Sequence, residues 1–141
     1  LLADFIVGNR KTLRRPDEIL AAVIVPRGLD DARSAFVKLG ARRYLVISIA
    51  MVAAVVKTDA GGRVAEARVA VGSCSVTAQR LTALEGALAG APARAGLGAL
   101  ASAEHLAQLS PIDDVRATAI YRTQAALTLV GRALDACVES S

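Results

Sequence analysis

The chain has 141 residues, a formal net charge of +4, 54% hydrophobic residues and only 3% aromatics. A chain of this length makes one domain that buries roughly two-thirds of its unfolded surface, which excludes a second full-sized domain. Its longest apolar run falls short of the roughly twenty residues that a membrane-spanning helix needs, and the scarcity of aromatics demands a close-packed aliphatic core.

The opening Leu-Leu-Ala-Asp has no basic leader and no cleavage pattern, so no signal peptide is expected, and the absence of an initial Met suggests that an upstream portion is missing. Gly8-Asn9 is a turn signal, followed by the basic cluster Arg10, Lys11, Arg14 and Arg15. Nucleic-acid binding would need aromatic platforms beside such a cluster, and Phe5, Phe36, Tyr44 and Tyr121 do not form them. The charge reads instead as a solvated rim, or as a surface facing a partner or a phosphate-bearing ligand.

Pro16 can open one helical turn through Asp17 and Glu18, after which Ile19 to Val25 reads as a strand ended by Pro26. A loop over residues 27–31 leads to a strand from Ser34 to Leu39. Here Phe36 and Lys38 share one face and Val37 and Leu39 the other, because successive strand side chains alternate; Lys38 reads as a buried lysine in a short basic tract. Gly40 breaks the pattern. The uncharged, Val- and Ile-rich stretch from Tyr44 to Val56 suits a central strand covered on both faces, running from about Leu45 to Lys57.

Asp59-Ala60-Gly61-Gly62 makes a hairpin turn, and its return strand, Arg63 to Val71, sets Ala65, Ala67, Val69 and Val71 on one face against Val64, Glu66, Arg68 and Ala70. The period then changes to helical. Leu81, Leu84 and Leu88 share a face, Ser75 or Thr77 can cap the start, and Gly90 with Pro92 stops it. A second helix is expected from Leu97 to Leu109. A third begins at Ser110-Pro111-Ile112-Asp113 and carries Ile120, Leu127, Val130, Leu134 and Cys137 or Val138 on its apolar face. Strands first and helices after predict an α+β fold, an antiparallel sheet with about three helices on one face.

The residues alone supply no chemistry. Cys74 and Cys137 belong to no metal-binding spacing, so they are expected to be free thiols in a reducing cytoplasm. His105, the one histidine, reads as a helix-surface residue, and Gly72-Ser73-Cys74-Ser75 as a strand-to-helix turn lacking a base. On this evidence the chain would serve equally well as a cofactor-free interaction or dimerisation module.

Four segments in order resemble one family. Phe5 to Leu13, then Pro16 to Leu20 and the strand to Pro26, resemble the segment that closes the FAD-binding domain in the flavoprotein part of molybdenum hydroxylases. Ser34-Ala35-Phe36 with Lys38 and Gly40 to Arg43 resembles the opening of the C-terminal domain of the same proteins, of the xanthine dehydrogenase and carbon monoxide dehydrogenase type. Val71 to Cys74 resembles the approach to its first helix, and Pro111 to Arg116 with Tyr121-Arg122 its last.

The resemblance implies that residues 1–30 are the tail of the FAD-binding domain and residues 31–141 the α+β C-terminal domain. It implies an oxidoreductase subunit with FAD held mostly by upstream residues. Molybdopterin and iron–sulfur clusters would sit in the large and small partner subunits. It places Ile19 and Leu20 against FAD through backbone and apolar contact, and Lys38 near the flavin; no catalytic or metal-binding residue is carried over. One departure stands out: many members carry an acidic residue where this chain has Val46, before Ile47-Ser48.

Overall fold

The computed structural model describes residues 1–139. A short helix α1 (Leu2–Phe5) enters the two-residue-deep hairpin β1 (Ile6–Gly8) and β2 (Lys11–Thr12). The main sheet is antiparallel, with spatial order β3 (Arg33–Leu39), β4 (Ala50–Thr58), β5 (Val64–Gly72) and β6 (Gln79–Arg80). Helices α2 (Thr82–Leu88) and α3 (Ala119–Glu139) complete the fold. This is the expected α+β architecture.

Alternation fixes the sheet. Val37, Val52 and Val71 pair across three strands, as do Ala35, Ala54 and Val69, and these rows face the helices. Leu81, Leu84 and Leu88 beside α2 and Val130, Ala133, Leu134 and Cys137 of α3 are buried against them. Phe36, Ala53 and Ala70 form the corresponding row on the other side, where Phe36 and Ala53 are exposed. The central strand is thus covered on one face, not two, because both packed helices lie on the same side.

The hairpin turns where expected. Asp59 Oδ1 accepts from the amides of Gly61 at 2.8 Å and Arg63 at 2.9 Å, and Gly62 takes the left-handed φ of +70° that favours glycine. A bulge follows, where the register slips between Lys57 and Thr58, so Val64 is buried and Ala65 exposed, the reverse of strict alternation.

Several expected elements differ. Residues 18–26 form no strand, because nothing within the described residues pairs with them. The long central strand starts at Ala50, since residues 41–49 form a loop. Neither Ser75 nor Thr77 caps α2, which starts only at Thr82; Ser75 Oγ instead accepts from Ser110 N at 3.0 Å. The helix expected from Leu97 to Leu109 is two 3₁₀ turns, Leu97–Leu100 and Ala103–Leu106, in the second of which His105 Nδ1 accepts from Ser102 N at 3.1 Å. The last helix starts at Ala119, not Ser110, because the Asp114 carboxylate takes the backbone amides of Arg116 and Ala117 in the preceding turn, and the Asp113 carboxylate takes the amide of Ala119, the first residue of the helix. Ile120, expected in its core face, is exposed.

Candidate functional site

The predicted site residues occupy two places. Ile19 and Leu20 lie in the irregular lead-in, 88% and 62% exposed, with Val23, Ile24 and Val25 also exposed. Seven uncharged apolar residues in a row would normally be buried. The far end of the segment is tied to the sheet, where Lys57 Nζ donates to Gly28 O at 3.3 Å and pairs with Asp31 at 2.9 Å; at the near end the Arg14 guanidinium donates locally to the carbonyls of Arg15 and Glu18.

Lys38 lies near the end of β3, exposed rather than buried as expected. Its side chain points to the uncovered side of the sheet, opposite Met51, which explains the exposure. Nζ donates to Val46 O at 2.8 Å. Where the resemblance expects an acidic side chain, then, this chain meets the ammonium with a backbone carbonyl. That leaves two of its three donors for other partners.

The loop from Gly40 to Ser48 brings that carbonyl into place. Ile49 N donates to Leu39 O at 2.8 Å and closes the loop at its base. Gly40 leaves room for Val46, since a Cβ there would sit 2.5 Å from Val46 Cγ1. Leu45 adopts a left-handed φ of +49°, and Arg42 Nη2 donates to its carbonyl at 2.6 Å. The Arg43 guanidinium lies 5.3 Å from the centre of the Tyr44 ring, a cation–π contact. Lys38, Leu39, Gly40, Arg42 and Arg43 line a recess of about 400 Å³ with three cations and no carboxylate. Such a recess attracts anions. Ile19 and Leu20 share none of the described clefts with Lys38.

Arg122 is a residue that the sequence did not mark beyond its place in the resemblance. It is 3% exposed on the sheet-facing side of α3. Nη1 donates to Ile49 O at 2.6 Å and to Ser73 O at 3.3 Å, and Nη2 donates to Asp114 Oδ1 at 2.6 Å. The Asp114 carboxylate also accepts from Arg116 N at 2.8 Å and Ala117 N at 3.2 Å. The Arg116 amide first, then the Arg122 and Arg116 guanidinium groups, hold the Asp114 carboxyl well below the usual carboxylate range. Arg122 thereby joins the loop base, the Ser73 turn and the segment before α3. The signal available in sequence was the pair of short stretches around Asp114 and Arg122, whose meeting only the fold displays.

Cys74 and Cys137 are buried and separate, and burial pushes both thiols up, which makes them poor nucleophiles. Among the described residues no three His, Cys, Asp or Glu side chains group to hold a metal, and no helix is long and apolar enough to cross a membrane.

Residues 35–137 match the family model described as the CO dehydrogenase flavoprotein C-terminal domain. No curated protein matches by sequence comparison. Among solved structures, the chain is similar to carbon monoxide dehydrogenase from Hydrogenophaga pseudoflava, lacking the Mo-pyranopterin moiety of its molybdenum cofactor, at 29% identity and a TM-score of 0.78, covering 96% of this chain and 46% of that one. Reconstituted CO dehydrogenase from Oligotropha carboxidovorans is 25% identical with a TM-score of 0.83, over 98% of this chain and 48% of that one. Quinoline 2-oxidoreductase from Pseudomonas putida 86, at 22% identity and a TM-score of 0.82 over 96% of this chain and 46% of that one, shares the fold. The chain spans about half the length of the chains it matches.

Proposed function

The chain belongs to the CO dehydrogenase flavoprotein C-terminal domain family, and on that premise we propose that it is the C-terminal part of the FAD-binding subunit of a molybdenum-containing hydroxylase or dehydrogenase. In this reading the subunit relays electrons from iron–sulfur clusters to FAD and on to an acceptor. Its partners are a small iron–sulfur subunit and a large molybdopterin subunit, and the complex is cytoplasmic. Residues 1–30 are the tail of the FAD-binding domain and residues 31–141 the C-terminal domain.

The observation that carries the reading is the exposed lead-in. Ile19 to Val25 is apolar, exposed at its large side chains and without a strand partner among the described residues. A contiguous row of bare aliphatic side chains calls for a covering surface, which an adjoining FAD-binding domain would supply. Ile19 and Leu20 then contribute backbone and apolar contact to FAD.

The cationic recess fits the same cofactor. Lys38 keeps two free donors, and Arg42 and Arg43 add positive potential, so an anionic dinucleotide is held there by charge as well as by hydrogen bonds. FAD, when bound, supplies the redox chemistry that side chains lack. With FAD bound there, the Lys38 ammonium would favour the negative charge that a flavin gains on reduction.

The test is cofactor content. The full-length protein should purify yellow, with stoichiometric FAD, while residues 1–141 alone should retain little. A colourless full-length protein, or a stoichiometrically flavinylated isolated chain, would refute the assignment.

A further inference from the structure

We infer that Arg122 is a positioning residue for Lys38: its buried guanidinium fixes the base of the Gly40–Ser48 loop and so holds Val46 O where it receives the Lys38 ammonium. The inference rests on the flavin reading for its functional meaning, but its geometry stands independently.

Each link is a direct contact. Arg122 Nη1 donates to Ile49 O at 2.6 Å, a buried carbonyl that lies three residues beyond Val46. Ile49 N donates to Leu39 O at 2.8 Å, which sets the loop base against the end of β3, one residue from Lys38. Val46 O then accepts from Lys38 Nζ at 2.8 Å. Asp114 aims the guanidinium through its 2.6 Å contact with Nη2, and Ser73 O takes a further bond at 3.3 Å.

Besides the Lys38 contact itself, the loop is tied to the sheet by the Ile49 N to Leu39 O bond and the weak Ser48 Oγ to Met51 Sδ contact at 3.7 Å, and neither holds the Ile49 carbonyl that Arg122 takes. Arg42 bonds Leu45 O, and Arg43 stacks on Tyr44, so both contacts stay within the loop and move with it. Gly40 permits Val46 to approach but imposes nothing. Arg122 reaches the loop from α3, a helix docked by its buried face on β3 and β4. Loops gain definition from such rigid elements.

The experiment measures acetylation of lysines in the full-length protein by N-hydroxysuccinimide acetate, with mass spectrometry resolving Lys38, Lys11 and Lys57. Arg122→Met removes the anchor. Lys38 should then react roughly threefold to tenfold faster, the range set by losing one net hydrogen bond. Lys57, held to Gly28 and Asp31 at the opposite end of the sheet, should keep its rate, which separates loop release from general unfolding. Asp114→Ala, which leaves Arg122 present but unaimed, gives a second route if Arg122→Met does not fold, and should also accelerate Lys38. Unchanged Lys38 rates in a folded variant, or equal acceleration of Lys57, would overturn the inference. The assay is run on the flavin-stripped and the flavin-loaded full-length protein. Faster Lys38 acetylation in the stripped Arg122→Met variant reports loop release alone, whereas protection of wild-type Lys38 by added FAD reports the flavin assignment, so the two are separately observable.

Discussion

Arg122 Nη2 stands 2.6 Å from Asp114 Oδ1, and the arginine side chain is 3% exposed while the aspartate is 22% exposed. The pair also carries the carbonyls of Ile49 and Ser73. Deleting the guanidinium therefore strands buried acceptors as well as breaking an ion pair. Arg122→Ala should destabilise the fold by about 1–3 kcal/mol, the cost of unsatisfied buried polar groups, read as a fall in the denaturant midpoint with an unchanged slope.

The same pair predicts an acid response. Asp114 has a carboxyl held below its ordinary value when folded, so its contribution to stability is complete above the unfolded pKa of about 3.9 and declines as pH falls toward the lower folded value. Melts at stepped pH should show wild type losing stability below about pH 4 more steeply than Asp114→Asn, which has no such proton to bind. Parallel pH profiles for the two proteins would contradict this.

Leu134 is fully buried on α3, while Leu127, two turns earlier, is only half-buried. Leu134→Ala should cost about 2–5 kcal/mol and Leu127→Ala clearly less. Equal losses in denaturant melts would mean that α3 presents a different face to the sheet.

Gly98 and Gly131 touch through their backbones, and they should respond to alanine with opposite signs. A Cβ on Gly98 would collide with Gly131 O on α3, whereas one on Gly131 would meet Gly98 O at an ordinary 3.6 Å. Gly98→Ala should cost about 1–3 kcal/mol through overpacking, and Gly131→Ala should gain up to about 1 kcal/mol from helix propensity. Thermal melts of the two variants decide it.

The sheet was legible because alternation dictates which side of a strand meets the core. Val37, Val52 and Val71 announce their row in the sequence. The third helix was legible in its later turns, where Val130, Leu134 and Cys137 recur at helical spacing. Illegible was whatever depends on side chains answering distant backbone. Asp113 and Asp114 divert the amides that a helix from Ser110 would have used. Leu45, turned into a left-handed conformation beside Arg42, cuts the long apolar run before its strand begins. Ala101 and Ser102, both in extended backbone, interrupt the expected second helix and leave a 3₁₀ turn on either side. Of the site, Lys38 was marked by its alternation with Val37 and Leu39, but its acceptor, Val46 O, carries no side-chain signature. Arg122 resembles any solvated helix arginine until the fold shows what surrounds it.

The central claim, that Lys38 serves a bound flavin, is tested most directly by a redox titration of FAD in the full-length protein and its Lys38→Met variant at two salt concentrations, with occupancy measured alongside. Methionine keeps the apolar stem and removes the charge. The account predicts that the flavin becomes harder to reduce, by about 1 kcal/mol at an effective dielectric near 20 once the flavin-bearing part of the protein covers the recess, with a shift that persists at the higher salt because a covered charge is poorly screened. An unchanged potential with unchanged occupancy at both salts would contradict it and leave Lys38 a solvated strand residue.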